Sequence, residues 1–245
     1  MSFSQLLLAA LLIMLATTSG ASAVFALKWI GSMFYGTIVA VCAGMMGFSA
    51  IEMMIQSHAL AGHRIAFGSL LAGVAAFCIL DRLLPHAHMA VLGSKMPGSR
   101  RKTALLVGSM TLHNIPEGFA VASAFAGGPS LGWLVTLTIA LQDIPEGLIV
   151  AAPIASQGVP AHRCFVYGLF SGLAEFLAAI GGFFFLSTLN TAAPWALGFS
   201  AGTMTYVVFF ELLPDAIGTQ DLRLTLTAFV SGLAVAYGLS MLLGF

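Results

Sequence analysis

The chain has 245 residues, of which 59% are hydrophobic and only 7% charged, and its nine basic and nine acidic side chains give no net charge. A soluble domain carries about 25% charged residues, so a soluble protein with an unusually apolar core is the weaker alternative to an all-α integral membrane protein. The neutral balance gives no indication of nucleic-acid binding. Cys42, Cys78 and Cys164 lie in apolar segments without a C-x-x-C spacing, which is typical of small buried residues and not of a disulfide framework or a zinc knuckle.

Eight apolar segments each have about the 20 residues that a bilayer-spanning helix needs. Short connections rich in Gly, Pro or charge separate them, and the longest connection, about 85–102, carries two histidines and several basic residues. The spans use almost the whole chain, so we predict one transmembrane domain over residues 1–245. The predicted spans are approximately 5–27, 34–57, 64–84, 103–126, 131–155, 162–187, 194–217 and 222–244.

Basic residues are distributed unevenly between the two sides of this arrangement. Cytoplasmic loops of membrane proteins carry an excess of Lys and Arg. With the N-terminus outside, the outward side carries only Arg64. We therefore place both termini outside the cytoplasm, in a bacterial inner membrane. The other eight basic residues then lie on the inward side: Lys28, Arg82, Lys95, Arg100, Arg101, Lys102, Arg163 and Arg223.

The first apolar segment, residues 1–23, ends in Ala21-Ser22-Ala23, which resembles a signal-peptide cleavage site. No Lys or Arg precedes Lys28, so the positive region of a signal peptide is missing. Removal of the segment would also leave seven spans with the mature N-terminus inside. We therefore expect the segment to be the first span, with cleavage as the alternative.

Six of the nine acidic residues fall well inside predicted spans, where an ionised carboxylate costs on the order of 3 kcal/mol. Almost no basic residue lies at that depth to pair with them. Such acids must be protonated, line a wet cavity or bind cations, and a multivalent cation compensates best because one ion neutralises two carboxylates. For Glu52 a protonated packing residue stays open as an alternative. The six are Glu52, Glu117, Asp143, Glu146, Glu175 and Glu211.

Two copies of one motif lie in neighbouring spans, offset by 142 − 113 = 29 residues. Positions i and i+4 share a helix face. His113 therefore faces the same way as Glu117, and Gln142 the same way as Glu146. Asn114 and Asp143 each lie one step around the helix. The two helices therefore present matching stripes of donor side chains. The copies are His113-Asn114-Ile115-Pro116-Glu117-Gly118 and Gln142-Asp143-Ile144-Pro145-Glu146-Gly147.

The proline and glycine of each motif have separate physical effects. Each proline removes a backbone N–H, so the carbonyls of Leu112 and Leu141 lose their usual helical partners. In lipid a freed carbonyl must find another partner, which a cavity with water or a metal ion supplies. Gly118 and Gly147 allow another helix to approach closely.

The candidate ligands are one imidazole, four carboxylates (with Glu175) and two carboxamides, without a thiolate. This set suits zinc, iron(II), manganese or cobalt better than copper(I), and magnesium less well because it seldom uses imidazole. Glu117 and Glu146 are placed to bridge two metals, so a binuclear site is compatible with the sequence. A structural zinc is a competing interpretation, although the four strong ligands of a closed site, often Cys, are absent.

At these residues the chain resembles the ZIP (Zrt/Irt-like) family of divalent metal transporters. His113-Asn114-x-x-Glu117-Gly118 is similar to the signature of the family's fourth span. In the fifth span Pro145-Glu146-Gly147 matches, while Gln142 stands where the family usually has His, a departure that occurs in the bacterial GufA-like branch. Other similar segments are 81–86, 171–175 and the stretch from Ala201-Gly202 to Glu211-Leu212-Leu213-Pro214.

The resemblance implies eight helices, with spans one to three and six to eight as inverted repeats around four and five. It also implies that helices one, four, five and six move against a scaffold of the other four. A carboxamide is a poorer zinc ligand than imidazole, so Gln142 is expected to broaden selectivity toward iron, manganese or cadmium. The implied first metal site is His113, Glu117, Gln142 and Glu146, the second is Asn114, Glu117, Asp143, Glu146 and Glu175, and Glu211 belongs to the pathway.

We therefore predict a transporter, and no enzyme, that carries divalent transition metals, zinc first among them, toward the cytoplasm. Metal ions and the bilayer are the expected partners, with no cofactor and no nucleic acid, and a homodimer is left open. One alternative is an intramembrane metal-dependent hydrolase, which lacks H-E-x-x-H and an evident nucleophile motif. The other is a proton-driven transporter of an organic solute. The paired motifs favour metal.

Four histidines in the predicted connections have two interpretations each. His86 and His88 lie in the basic cytoplasmic loop, where they either receive metal that leaves the site or are ordinary solvated side chains. His58 and His63 flank the outer loop, where they either help metal to enter or are again solvated.

Overall fold

A computed structural model describes residues 2–26, 31–83, 100–155, 158–189 and 191–243, and all regular secondary structure in these ranges is helical. The all-α prediction is thereby confirmed. The helices are α1 Phe3–Ser22 with a short 3-10 turn at Ala23–Phe25, α2 and α3 within Ser32–Leu83, α4 Arg100–Gly127, α5 Pro129–Ala155, α6 Ala161–Thr188, α7 Ala193–Val207 with a π-helical turn at Val208–Leu212, α8 Leu213–Ile217 and α9 Leu222–Leu242.

The stretch Ser32–Leu83 is two helices joined at a single residue, Gly62, which has φ 78° and ψ 173°. This left-handed φ is unfavourable for residues with a side chain and readily adopted by glycine. Residues 32–61 form α2 and residues 63–83 form α3. The predicted outer loop over 58–63 is therefore shorter than expected, and His58 and His63 are exposed side chains on the adjoining helix ends.

Six helical segments in the described part of the chain are long and apolar enough to cross a membrane, which fits the predicted multi-pass protein. One of them, Met33–Leu83, is 51 residues long, about twice what a single span needs, and contains both α2 and α3. Helix α4 is not among the six; it carries the polar residues of the first motif. The count of eight spans and the inverted repeat stay predictions.

The helices pack in two groups. Helices α1, α4, α5 and α6 contact one another extensively, while α2 and α3 pack mainly against α7 and α9. Glycines allow close approach within the second group: Gly44 lies against the backbone of α9, and Gly202 lies against the backbone of α3. The groups meet where α4 contacts α7 and α2 contacts α5. The resemblance implies the same grouping of helices, with α9 as the eighth span, and the movement of one group against the other stays a prediction.

Helix α1 is an interior element of the first group. Leu6, Ala9, Ile13 and Ala21 have no exposed surface, and the helix lies against both α5 and α6. Its buried face therefore forms part of the core that holds the site.

Candidate metal site

Both P-E-G motifs lie inside long helices, the first in α4 and the second in α5. The glycine of each motif lies against the backbone of another helix, as the sequence predicts. A Cβ atom on Gly118 would meet the carbonyl oxygen of Glu175 in α6, and one on Gly147 would meet the carbonyl oxygen of Thr17 in α1. The two glycines thus bring α6 and α1 to the glutamates that precede them.

Three buried carboxylates from the two motifs converge. One oxygen each from Glu117, Asp143 and Glu146 lies within 4.8 Å of the other two. Among the residues whose burial the structure describes, no Lys or Arg is buried, so no cationic side chain of that set shares their depth. Ionised carboxylates at this spacing repel one another unless protons or cations neutralise them.

Gln142 connects the two motifs. Its Nε2 donates to Oε1 of Glu117 at 2.7 Å, so the amide oxygen of Gln142 points elsewhere. That oxygen and Oε2 of Glu117 are buried and accept no hydrogen bond from any described residue. Buried acceptors without donors are costly, and a cation supplies the electrophile that they lack.

Glu175 in α6 lies beside the cluster, where it contacts the carboxyl group of Asp143 and accepts hydrogen bonds from a hydroxyl and an amide. The hydroxyl of Thr17 in α1 lies 3.0 Å from its Oε1, and Nδ2 of Asn114 donates to the same oxygen. Because the amide nitrogen of Asn114 faces the carboxylate, its Oδ1 faces away, and that atom is buried without a donor among the described side chains and backbone. Asn114 therefore contributes another unsatisfied oxygen.

His113 reaches a different helix. Helical spacing places it on the same face as Glu117, but its Nε2 contacts Oε2 of Glu211 and it is not part of the three-carboxylate cluster. Glu211 lies in the π-helical turn Val208–Leu212 between α7 and α8. Such turns insert one extra residue into a helix and are frequent at functional sites. The structure thus links α4 to the second helix group through this contact.

Several neighbours of the site were not predicted from the sequence. The thiol of Cys42 in α2 donates to the backbone carbonyl of Gln142 at 3.6 Å. The hydroxyl of Tyr35 donates to Asp215 at 2.5 Å, and that of Tyr206 donates to Asp81 at 2.8 Å. Cys42 is buried, as predicted. Its hydrogen bond to the carbonyl of Gln142, a motif residue, was not predicted.

The other predicted residues lie apart from the cluster or outside the described chain. Glu52 is half-buried in α2 and is not among the three clustered acids. His86 and His88, proposed to receive the metal, lie outside the described residues.

Comparison with known proteins finds similar sequences among proteins described as zinc transporters. A family model described as "ZIP Zinc transporter" matches residues 86–243. The chain is 35% identical over 211 residues to Zinc transporter GufA of Myxococcus xanthus, covering 82% of this chain and 83% of that protein. It is 30% identical over 223 residues to Zinc transporter ZupT of Corynebacterium efficiens, covering 79% and 82%. It is 35% identical over 153 residues to human Zinc transporter ZIP11, covering 60% and 45%.

The chain spans less than half of the longer relatives, 45% of ZIP11 and 28% of an Arabidopsis thaliana protein. It spans more than four fifths of GufA and of ZupT. Together with the family match over more than half of its residues, these similarities show that the chain belongs to the ZIP family, in the branch that includes GufA.

Proposed function

We propose that this protein carries divalent transition-metal ions across a membrane toward the cytoplasm, with zinc as the first substrate and iron(II), manganese and cadmium as others. The observation that carries the proposal is the convergence of Glu117, Asp143 and Glu146 inside helices of a membrane protein. Burying three carboxylates together is unfavourable unless positive charge neutralises them. A divalent cation provides two charges in one ion, and zinc transport by the named relatives supports that choice.

The proposed ligands form two adjacent sites that share carboxylates. His113, Glu117, Gln142 and Glu146 form the first, and the second consists of Asn114, Glu117, Asp143, Glu146 and Glu175. The free oxygens of Asn114, Glu117 and Gln142 support both assignments. In this conformation His113 contacts Glu211 instead, so we infer that its imidazole moves between that glutamate and the first metal, with Glu211 lining the pathway.

The topology that we propose has eight spans, an inverted repeat and both termini outside the cytoplasm of a bacterial inner membrane. The packing of α1, α4, α5 and α6 as one group and α2, α3, α7 and α9 as the other supports movement of the first against the second. Labelling of cysteines introduced in turn at Ser2 and Gly218 with a membrane-impermeant reagent tests the topology. We expect Ser2→Cys to react in intact cells and Gly218→Cys to react only after permeabilisation.

Metal flux into proteoliposomes tests the function. We expect the purified protein to move zinc, cadmium, iron(II) or manganese, and the otherwise identical Glu146→Ala protein to move none of them. A hydrolase would release product without flux, and a proton-driven organic transporter would show proton movement that does not depend on metal. If no metal moves and Glu146→Ala changes nothing, the proposal is wrong.

Gln142→His is expected to shift selectivity toward zinc. Imidazole is a better zinc ligand than a carboxamide, and the substitution also removes the amide that donates to Glu117. We expect the ratio of zinc to manganese transport, measured as kcat/KM for each ion in the same vesicles, to rise several-fold. Gln142→Glu is the matched control, because it adds an oxygen ligand without imidazole; an equal rise in that variant would contradict the explanation.

A further inference from the structure

We propose that Thr17 in α1 is a positioning residue of the metal site, which holds the carboxylate of Glu175 and, through it, the amide of Asn114. The proposal rests on the proposed metal transport and adds to it a helix that carries none of the motif residues. Thr17 is not expected to bind metal itself.

The hydroxyl of Thr17 has a clear preferred acceptor. Its Oγ1 lies 3.0 Å and 3.1 Å from the two carboxylate oxygens of Glu175, and 3.1 Å from the carbonyl oxygen of Ile13. A hydroxyl has one proton to donate, and a carboxylate accepts more strongly than a neutral carbonyl. Both side chains are completely buried, so water does not compete for the bond.

Thr17 is packed against a neighbouring helix on two sides. On one side its carbonyl oxygen occupies the space that a Cβ on Gly147 would need, and on the other its side chain and the backbone of Met14 lie against Gly172. Gly147 belongs to the second motif, and Gly172 lies one helical turn before Glu175. The turn of α1 that carries Thr17 is therefore packed between α5 and α6, two helices that carry carboxylates of the site.

The contact of Thr17 with Glu175 orients Asn114. Nδ2 of Asn114 donates to Oε1 of the same carboxylate, which leaves Oδ1 of Asn114 buried and without a donor in the described part of the chain. Without the Thr17 hydroxyl, the Glu175 carboxylate loses one of the partners that fix its rotation, so the acceptor of the Asn114 amide is held less firmly. Metal would then bind more weakly at the second site, although every ligand is still present.

Thr17→Val tests this role because it replaces the hydroxyl with a methyl group of similar volume. Loss of a hydrogen bond to a charged group corresponds to about a tenfold or greater change in a binding constant. We expect the KM for zinc uptake to rise about tenfold, whereas Thr17→Ser, which keeps the hydroxyl, stays within about twofold of the wild type. Thr18→Val is the matched control: the Thr18 hydroxyl donates to the carbonyl of Met14 in its own helix at 2.7 Å, not to a residue of the site.

A double-mutant comparison separates positioning from general packing. If Thr17 acts through Glu175, then Thr17→Val in a Glu175→Ala background should not weaken residual cadmium binding further, as measured by calorimetry. An additional loss in that background would overturn the proposal, and so would wild-type zinc KM in Thr17→Val or equal damage in Thr17→Ser. Should Thr17→Val fail to fold, Thr17→Ala compared with Thr17→Ser carries the same test.

Failure of this inference is distinguishable from failure of the proposed function. A wild-type protein that moves no metal overturns the transport proposal. A wild-type protein that transports zinc, with a Thr17→Val variant that transports it equally well, overturns only the role of Thr17.

Discussion

Glu117→Ala is expected to abolish metal transport, whereas Asn114→Ala is expected to leave a measurable rate. Glu117 is one of the three clustered carboxylates and accepts a hydrogen bond from the amide of Gln142. Its carboxylate is placed to serve both proposed metals, while Asn114 serves one. Loss of a residue that merely supports a metal ligand lowers metal affinity or activity about 10–100-fold. Loss of a shared ligand should therefore lower the transport rate by more than that range.

Initial rates of zinc and cadmium uptake into proteoliposomes, at matched protein content, measure this difference. Glu117→Gln should be nearly as inactive as Glu117→Ala, because it keeps the volume and removes the charge. Glu52→Ala is the control: Glu52 is another glutamate inside a helix but lies apart from the cluster, so its rate should stay near the wild type. Equal residual flux in Glu117→Ala and Asn114→Ala would count against two metals that share Glu117.

Gly118→Ala is expected to destabilise the protein and remove transport, although it adds a single methyl group. The new Cβ would lie on the carbonyl oxygen of Glu175, so α6 would have to move away from α4. Alanine in place of glycine stabilises a helix by about 1 kcal/mol, but overpacking a tight interface costs about 1–3 kcal/mol or more. The displacement would also take the Glu175 carboxylate away from Asn114.

Gly181→Ala in α6 is the control for this prediction, since a Cβ at that position meets no atom of another described helix within 4 Å. Loss of the monodisperse size-exclusion peak after heating in detergent gives the unfolding midpoint of each variant. We expect the midpoint of Gly118→Ala to fall by several degrees and that of Gly181→Ala to stay or rise. A Gly118→Ala protein with unchanged midpoint and flux would contradict the close approach of α4 and α6.

Much of the site was predictable because its signals are local. The burial of Glu117, Asp143 and Glu146 follows from acidic residues within apolar runs, and their convergence follows from two copies of one motif on neighbouring helices. The close approach at Gly118 and Gly147 was also predicted, because glycine in a membrane helix marks a helix interface. The partners of these glycines, Glu175 and Thr17, were not predicted.

The predictions that were incomplete concern residues far apart in the chain. Helical spacing places His113 and Glu117 on one face, yet the imidazole contacts Glu211, nearly a hundred residues away in the chain. The outer loop predicted over 58–63 is a break at a single residue, because Gly62 adopts a left-handed φ. A hydropathy pattern does not indicate the φ of a residue.

The sequence by itself determined the membrane class, the family and the types of candidate ligand, because composition, apolar length and motif spacing are properties of contiguous residues. Only the tertiary structure decided which donors meet. Thr17 and Glu175 are 158 positions apart, and Cys42 and Gln142 are 100 apart. The helical repeat predicts which way a side chain faces on its own helix. Its partner on another helix depends on how the helices pack against one another. In this protein that packing depends on glycines that allow a neighbouring backbone to approach closely.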